Sequence, residues 1–503
     1  MSLSIKKEKY PYFEITGCDT AECSVDTEYY LPDYCPDIQK ILKCIPDVQI
    51  VSDSLTSDKL SVQGNLNISV MYTDEKGDSI RNCELSKEFT VNIKLNVDCE
   101  NAIAYIKGLC GHVICRAVSA RKLDIHIPVI INYTLLRVKE QEITADITDA
   151  EKKTLNFTAS KAFRVIKNEA SLSQNMELSG SMKPVESILR KDIEFLNVKA
   201  EPDFDAVDVS ATAEITVIYR SYSENSMIEK LKYRIPFNER IELTGIEKQT
   251  KIKCDIMKGE LSLQSKEDNM GENTVISLYA KFSIALMLFE DGEVTVVEDA
   301  YPLNFSSQEK YIKLPLKTYR EKETSVNLSG EIVTDNLEKI IDIWCDECDV
   351  LAFSESDKVN FRGKFNLSLL YYNQEKKVQY INKTFDYLSF INIENEKQLK
   401  ALPKVKVKVN DFKILNSSSV KADFEVVINS FLEYSDSANM LVAVDVGDEI
   451  GYDSGKINLI YSSGGEKLWD IAKRHRVSLS EIFESNNIFS EEELTFPIIL
   501  CKK

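Results

Sequence analysis

Leu60-Ser-Val-Gln-Gly-Asn-Leu-Asn-Ile-Ser-Val-Met-Tyr72 decides the fold. Leu60, Val62, Leu66, Ile68, Val70 and Tyr72 fall on alternate positions, and Ser61, Gln63, Asn65, Asn67 and Ser69 fill the places between them. A period of two is that of a β-strand with one buried and one wet face. Gly64 sits in the apolar row. A strand of this length spans about 43 Å, long for a globular sheet, so a bend or bulge is expected beside the glycine. A neighbouring side chain that needs the room explains the glycine equally well.

The same run occurs twice more. Val207, Val209, Ala211, Ala213, Ile215, Val217 and Tyr219 alternate, as do Val359, Phe361, Gly363, Phe365, Leu367, Leu369 and Tyr371. Each copy has a small residue at its third apolar position, ends in tyrosine and is preceded by an acidic turn residue: Asp58, Asp205 or Asp357. Ahead of each lies a segment that reads as a short helix: Asp37-Ile-Gln-Lys-Ile-Leu42, Val185-Glu-Ser-Ile-Leu189 and Asn336-Leu-Glu-Lys-Ile-Ile341. From Leu42 to Tyr72, Leu189 to Tyr219 and Ile341 to Tyr371 the interval is 30 residues every time. Such self-similarity, with a period of about 150 residues, marks duplication of one unit. Each copy closes on further alternation, at 122–133, 275–286 and 420–428.

The fold class is therefore mainly β. We expect three tandem β-rich sandwich or barrel-like repeat domains, each with one short helix, at 1–155, 156–300 and 301–436. A polar, acidic linker at 437–456 and a small βααβ domain at 457–503 complete the chain. A length of 503 residues is too great for one core and accommodates this division.

The three copies resemble the SPOCS domain of bacterial spore-coat assembly proteins over roughly residues 10–440. The resemblance implies a structural role in coat morphogenesis.

In the last segment, Ile457-Asn-Leu-Ile-Tyr461 reads as a strand and Leu468, Ile471 and Ala472 as one face of a helix. Ser478-Leu-Ser-Glu481 is a capping box that opens a second helix with Leu479, Ile482 and Phe483 inward, and 496–500 supplies a return strand. That order resembles a LysM domain, a family that binds chitin or peptidoglycan through N-acetyl groups. By position the resemblance puts Gly465, Glu466, Lys467 and Leu468 in the first binding loop and Asn487, Ile488 and Phe489 at the start of the second. The family's Gly-Asp-Thr-Leu is replaced by Gly465-Glu-Lys-Leu468, and its Gly-Gln before the last strand is missing. Trp469 is either a partner anchor or core packing. The run from Lys473 and Arg474 to His475 and Arg476 either complements the helix dipole or meets an acidic partner.

Charge and motifs exclude other classes. Lys and Arg number 62 against 81 Asp and Glu, a net charge of −19, which repels nucleic acid and anionic lipid. No apolar run reaches the ~18 residues of a spanning helix, and no signal peptide is evident at the N-terminus. Of the twelve cysteines, eight precede residue 116, and most are expected as reduced, buried thiols. Neither Cys345/Cys348 nor Cys110/His112/Cys115 carries the second pair that a structural zinc site needs. The three histidines lie outside any hydrolase, zincin, P-loop or dinucleotide motif, so no enzyme and no cofactor is expected.

SPOCS-like repeats with a LysM-like end resemble SipL-type coat morphogenetic proteins. That resemblance implies a scaffold in the mother-cell cytoplasm at the forespore surface. Its partners would be the coat's basement-layer ATPase and other coat proteins, with the repeats as a rigid spacer. The alternative is a peptidoglycan-binding protein of the spore or cell envelope.

Overall fold

The alternating segments form strands over most of the chain. The structure, a computed structural model, describes residues 3–75, 77, 79–222, 228–355, 357–393, 398–450, 457–461, 467–487 and 497–501. The first unit contains β1 (Ser4–Tyr30), β2 (Lys40–Leu55), β3 (Lys59–Thr73), β4 (Ile80–Lys94), β5 (Ile103–Cys110), β6 (Ile114–Ser119) and β7 (Lys122–Thr148). The second contains β8 (Glu151–Glu177), β9 (Val185–Asp203), β10 (Ala206–Ser221), β11 (Ile228–Glu242), β12 (Lys251–Lys266) and β13 (Val275–Tyr301). The third contains β14 (Phe305–Val333), β15 (Leu337–Cys348), β16 (Leu351–Glu355), β17 (Lys358–Asn373), β18 (Val378–Asn392), β19 (Gln398–Asn416) and β20 (Ser419–Glu449). The C-terminal module is β21 (Ile457–Ile460), α1 (Leu468–His475), α2 (Leu479–Asn486) and β22 (Ile498–Cys501).

The units share one topology. In each, the first and last strands pair antiparallel with a penultimate strand on the far side: β1-β7-β5/β6, β8-β13-β12 and β14-β20-β19. A second sheet runs β2-β3-β4, β9-β10-β11 and β15/β16-β17-β18. The two sheets bury their apolar rows against each other, Leu66, Ile68 and Val70 facing Ile125, Ile127 and Val129 in the first unit. Each unit is thus an open two-sheet sandwich. The unit boundaries fall at the turns 149–150 and 302–304, and the third unit continues through 437–449, which belongs to β20 rather than to a linker.

No helix forms at the three expected places: 185–189 and 337–341 are strand, and 37–42 enters β2 at Lys40. Their apolar spacing imitates a helix because of a bulge. Ile41 pairs with Tyr72 and Lys43 with Met71, leaving Leu42 unpaired. Leu189 is left out in the same way between Ile188 and Arg190, and Ile341 between Ile340 and Asp342. A bulge puts two successive residues on one side of the sheet, so Leu42 joins Lys43 on the outer side while Ile41 stays inward. Ile41, Ile188 and Ile340 face the cores of their own units. Leu42, Leu189 and Ile341 meet one another in a cluster outside the sandwiches, with Met71, Ile218 and Leu370 and with Ile80, Ile228 and Val378. Three equivalent residues from three units at each level make a closed three-way junction, not a string of spaced beads.

A second junction joins the long outer strands. Phe13, Phe289, Tyr319 and Phe431 pack together, and Ile143, Val296 and Met440 meet below them. Tyr319 Oη accepts from the Phe13 amide at 2.9 Å, Tyr10 Oη accepts from the Lys317 amide at 3.0 Å, and Ser160 Oγ accepts from the Tyr319 amide at 3.2 Å.

The remaining repeat signals have local causes. Tyr72 Oη donates to the Pro36 carbonyl at 3.2 Å and Tyr219 Oη to the Lys183 carbonyl at 3.1 Å, while Tyr371 Oη accepts from the Asp335 amide at 3.0 Å. Each tyrosine ties its strand end to the residue 36 places earlier, at the entry to the second sheet. At the small position, both explanations hold. A Cβ on Gly64 would lie 2.5 Å from the Gln49 carbonyl oxygen and 2.5 Å from the Phe89 ring. The ladder also slips opposite it, between Ile50 and Ser52. Ala211 and Gly363 likewise face aromatic partners, Phe237 and Tyr387.

Leu189→Ala should destabilise the protein by about 2–5 kcal/mol, because it empties part of a closed junction rather than an edge. Urea unfolding followed by circular dichroism reads this, and a loss below about 1 kcal/mol would mean that the junction does not hold the units.

Candidate functional site

The C-terminal module forms the expected βααβ order, with β21 antiparallel to β22. Helix α1 starts after Lys467, which makes no side-chain cap, and carries Asp470 in its first turn and Lys473, Arg474 and His475 in its last. It stops at Arg476, whose φ of 54° is left-handed, a conformation that ends helices. Helix α2 begins with the capping box of Ser478 and Glu481 and stops at Asn487, also left-handed. Asn486 fastens α2 to the return strand: its amide nitrogen donates to the Ile499 carbonyl at 2.8 Å, and its oxygen accepts from the Ile499 amide at 2.7 Å.

The site residues divide by what they touch. Leu468 and Trp469 are buried, together with Ile471 and Ala472, in a cluster that includes Tyr301 from the second unit. The Trp469 ring lies edge-on to Tyr301 at 5.2 Å, and its Nε1 donates to Asp299 Oδ2 at 2.7 Å. Lys473 Nζ donates to Asp299 Oδ1 at 2.7 Å and to Tyr311 Oη at 2.9 Å, and pairs with Glu309 at 3.4 Å. Arg476 pairs with Glu309 at 3.2 Å. Tyr301 Oη donates to the Val477 carbonyl at 2.8 Å. The basic run meets an acidic surface, and that surface belongs to this chain. Lys467, Arg474 and Asn487 are exposed. Gly465, Glu466, Ile488 and Phe489 lie outside the described residues.

Sequence reading did not find the receiving residues. Asp299, Tyr301, Glu309 and Tyr311 stand around the corner between β13 and β14, far before the module in the chain. A bulge between Val297 and Asp299 leaves Glu298 out of the ladder and shifts the face on which Asp299, opposite Lys153, stands. Burial opposes ionisation of Asp299, but the donors Lys473, Tyr311 and Trp469 outweigh it and hold its pKa below the ordinary 3.8. Burial pushes the Tyr311 hydroxyl up to about 12, with its bond to Asp299 adding to the effect. Burial also works against Lys473, yet its bonds to Asp299 and Tyr311 raise its pKa above 10.5.

The cysteine pairs singled out in the sequence sit in packed surroundings. Cys345 and Cys348 both lie against the core of the third unit, which the ladder slip between Cys345 and Glu347 permits. Cys44 and Cys115 share a hydrogen bond, which raises the pKa of the first, with burial adding, and lowers that of the second. Among the described residues no group of three or more His, Cys, Asp or Glu is placed to hold a metal ion. No helix among them is long and apolar enough to cross a membrane.

The family model of the SipL SPOCS domain matches residues 37–117 and 184–263. These stretches run from β2 into β6 in the first unit and from just before β9 into β12 in the second. They therefore contain the bulge, the small residue and the tyrosine of the first two copies. No curated protein and no solved structure matches the chain.

Asp299→Ala should release α1. Of the three hydrogen bonds that end on this carboxylate, the two from Trp469 and Lys473 hold α1, and each is charge-assisted and contributes roughly 1.5–3 kcal/mol. Amide exchange across Leu468–His475, corrected for the intrinsic rate, should therefore quicken by about tenfold or more. The pH dependence follows from the same group. Because the folded pKa of Asp299 is lowered, its contribution is present above 3.8 and lost as the pH falls through the folded value. Unchanged exchange in the variant would show that the module is held by its apolar contacts alone.

Proposed function

We propose that this chain, two stretches of which match the SPOCS domain family, is a non-catalytic scaffold of spore-coat assembly. Its three-unit body sets the geometry, and its LysM-like module, seated on the second and third units, presents the docking surface for a protein partner. The partner we name is the coat's basement-layer ATPase, met in the mother-cell cytoplasm at the forespore surface, with other coat proteins around it.

One observation carries this reading. Trp469, Lys473 and Arg476 are committed to the body through Tyr301, Asp299 and Glu309, so module and body present one composite surface. A protein partner recognises such a surface through a few anchors on a rigid frame. A glycan groove instead relies on an open cleft with aromatic and small side chains. The inward Trp469 removes one aromatic from that role. The βααβ order keeps the peptidoglycan reading in play as the alternative.

The test uses a fluorescent fusion of the full chain in a sporulating bacterium, beside the double variant Lys467→Glu, Arg474→Glu. Both side chains are exposed, so the fold should survive. The wild type should form a cap around the forespore and the variant should stay diffuse, and neither should be retained on insoluble peptidoglycan. Retention of the wild type on peptidoglycan, lost in the variant, would establish the sugar reading instead.

A further inference from the structure

The outer face of the second sheet has two halves in every unit. The half near the tyrosine carries Met71, Ile218 or Leu370, and these are covered by the three-way junction. The far half is open. In the first unit, Gln63 of β3 lies between Ser52 and Thr90, and Ser61 between Ser54 and Asn92. In the second, Ser210 of β10 lies between Lys199 and Asn238, and Asp208 between Glu201 and Arg240. All eight flanking residues are polar and exposed, as a solvated sheet face requires.

The third unit breaks the pattern at the same four positions. Arg362 of β17 lies between Leu351 and Leu388, and Asn360 between Phe353 and Phe390. These side chains are 63%, 61%, 42% and 51% exposed respectively. Elsewhere on these faces apolar rows are covered by another unit, whereas here the described residues leave them open apart from Lys358, whose Nζ lies 5.0 Å from the centre of the Phe390 ring. The cost of exposing such a patch is ordinarily removed by a partner.

Charge says which kind. Of the lysines in the neighbouring rows, Lys364 lies opposite Asp386 at 3.6 Å, whereas Lys358, opposite Glu355 in register, places its Nζ over the Phe390 ring and adds positive charge to the patch. Arg362 has a leucine on each side. Arginine among aromatic and aliphatic side chains is the composition of binding hot spots, and a guanidinium desolvated there requires a carboxylate. A second copy pairing through this face about a two-fold axis would bring two Arg362 side chains into one apolar contact without that carboxylate.

We infer that the outer face of β16, β17 and β18 is a docking surface for a protein segment that presents apolar side chains around a carboxylate. It lies apart from the C-terminal module and does not depend on the role proposed for that module.

The first two units supply the control, because they fold with polar residues at these positions. The quadruple variant Leu351→Ser, Phe353→Ser, Leu388→Thr, Phe390→Asn copies the first unit onto the third. The probe is a short fluorescein-labelled peptide of alternating leucine and glutamate, and its counterpart has lysine in place of glutamate. By fluorescence anisotropy, the full chain should bind the acidic peptide about tenfold more tightly than the basic one. The quadruple variant should lose that binding with an unchanged circular dichroism spectrum, and Arg362→Glu should reverse the preference. Equal binding by wild type and both variants would overturn the inference. So would sedimentation showing a wild-type dimer that the quadruple variant abolishes, or loss of binding to phosphatidylglycerol vesicles with peptide binding intact. A chain that binds the peptide yet forms no forespore cap would sink the coat role and leave this surface standing.

Discussion

In each unit the second strand leaves an apolar residue unpaired at the same place in its ladder. Leu42, Leu189 and Ile341 turn away from the cores their neighbours serve and close on one another. Everything at the level of the whole molecule follows from that turn. A strand without the bulge would send the side chain into its own sandwich or into water, and the three-way junction would lose one of its levels. With it, each sandwich uses one strand for two cores. The strand must then be rigid in register, and this explains why a tyrosine pins its partner strand 36 residues downstream in every copy.

Much of this was legible in the alternating runs. Leu60 to Tyr72 and its two copies are strands, the small residue does mark a slip in the ladder, and Ser478 with Glu481 does open a helix. What misled were places where local pattern and tertiary use diverge. A bulge makes Ile41-Leu42 doubly apolar, which in six residues cannot be told from a helical face. Residues 437–449 have a linker's composition but pair with β14, since an antiparallel partner needs only backbone groups. Trp469 and Lys473 carried no sign of Asp299, because the match is between side chains 170 and 174 residues apart.

A closed junction of identical copies would place the same charge at every equivalent point. One continuous chain escapes that limit. The position after the bulge is Lys43 in the first unit, Arg190 in the second and Asp342 in the third. Asp342 is buried and receives Arg190 at 2.9 Å and Lys230, both from the second unit, while Lys43 meets Asp346 of the third at 3.0 Å. Arg190 also lies over the Trp344 ring, 4.6 Å from its centre. These pairs differ at each interface, so the units fit in one order. Buried ion pairs are poor sources of stability but good sources of such specificity, because a wrong pairing leaves a charge without a partner.

The path of the chain explains where the module sits. Because the first and last strands of each unit are antiparallel along nearly their whole length, every unit ends where it began: Ser4 opposite Thr148, Glu151 opposite Tyr301, Phe305 opposite Glu449. Two or three residues then suffice to pass from one unit to the next. The last of these returns brings Glu449 beside Phe305, next to the corner that carries Asp299, Tyr301 and Glu309. A module attached there is delivered to its acidic seat by the topology of the third unit. The chain closure that the docking contacts must overcome is correspondingly small. The seat itself belongs to the corner between the second and third units, so the module reads the position of both. Its outward face is therefore fixed relative to the three-way junction.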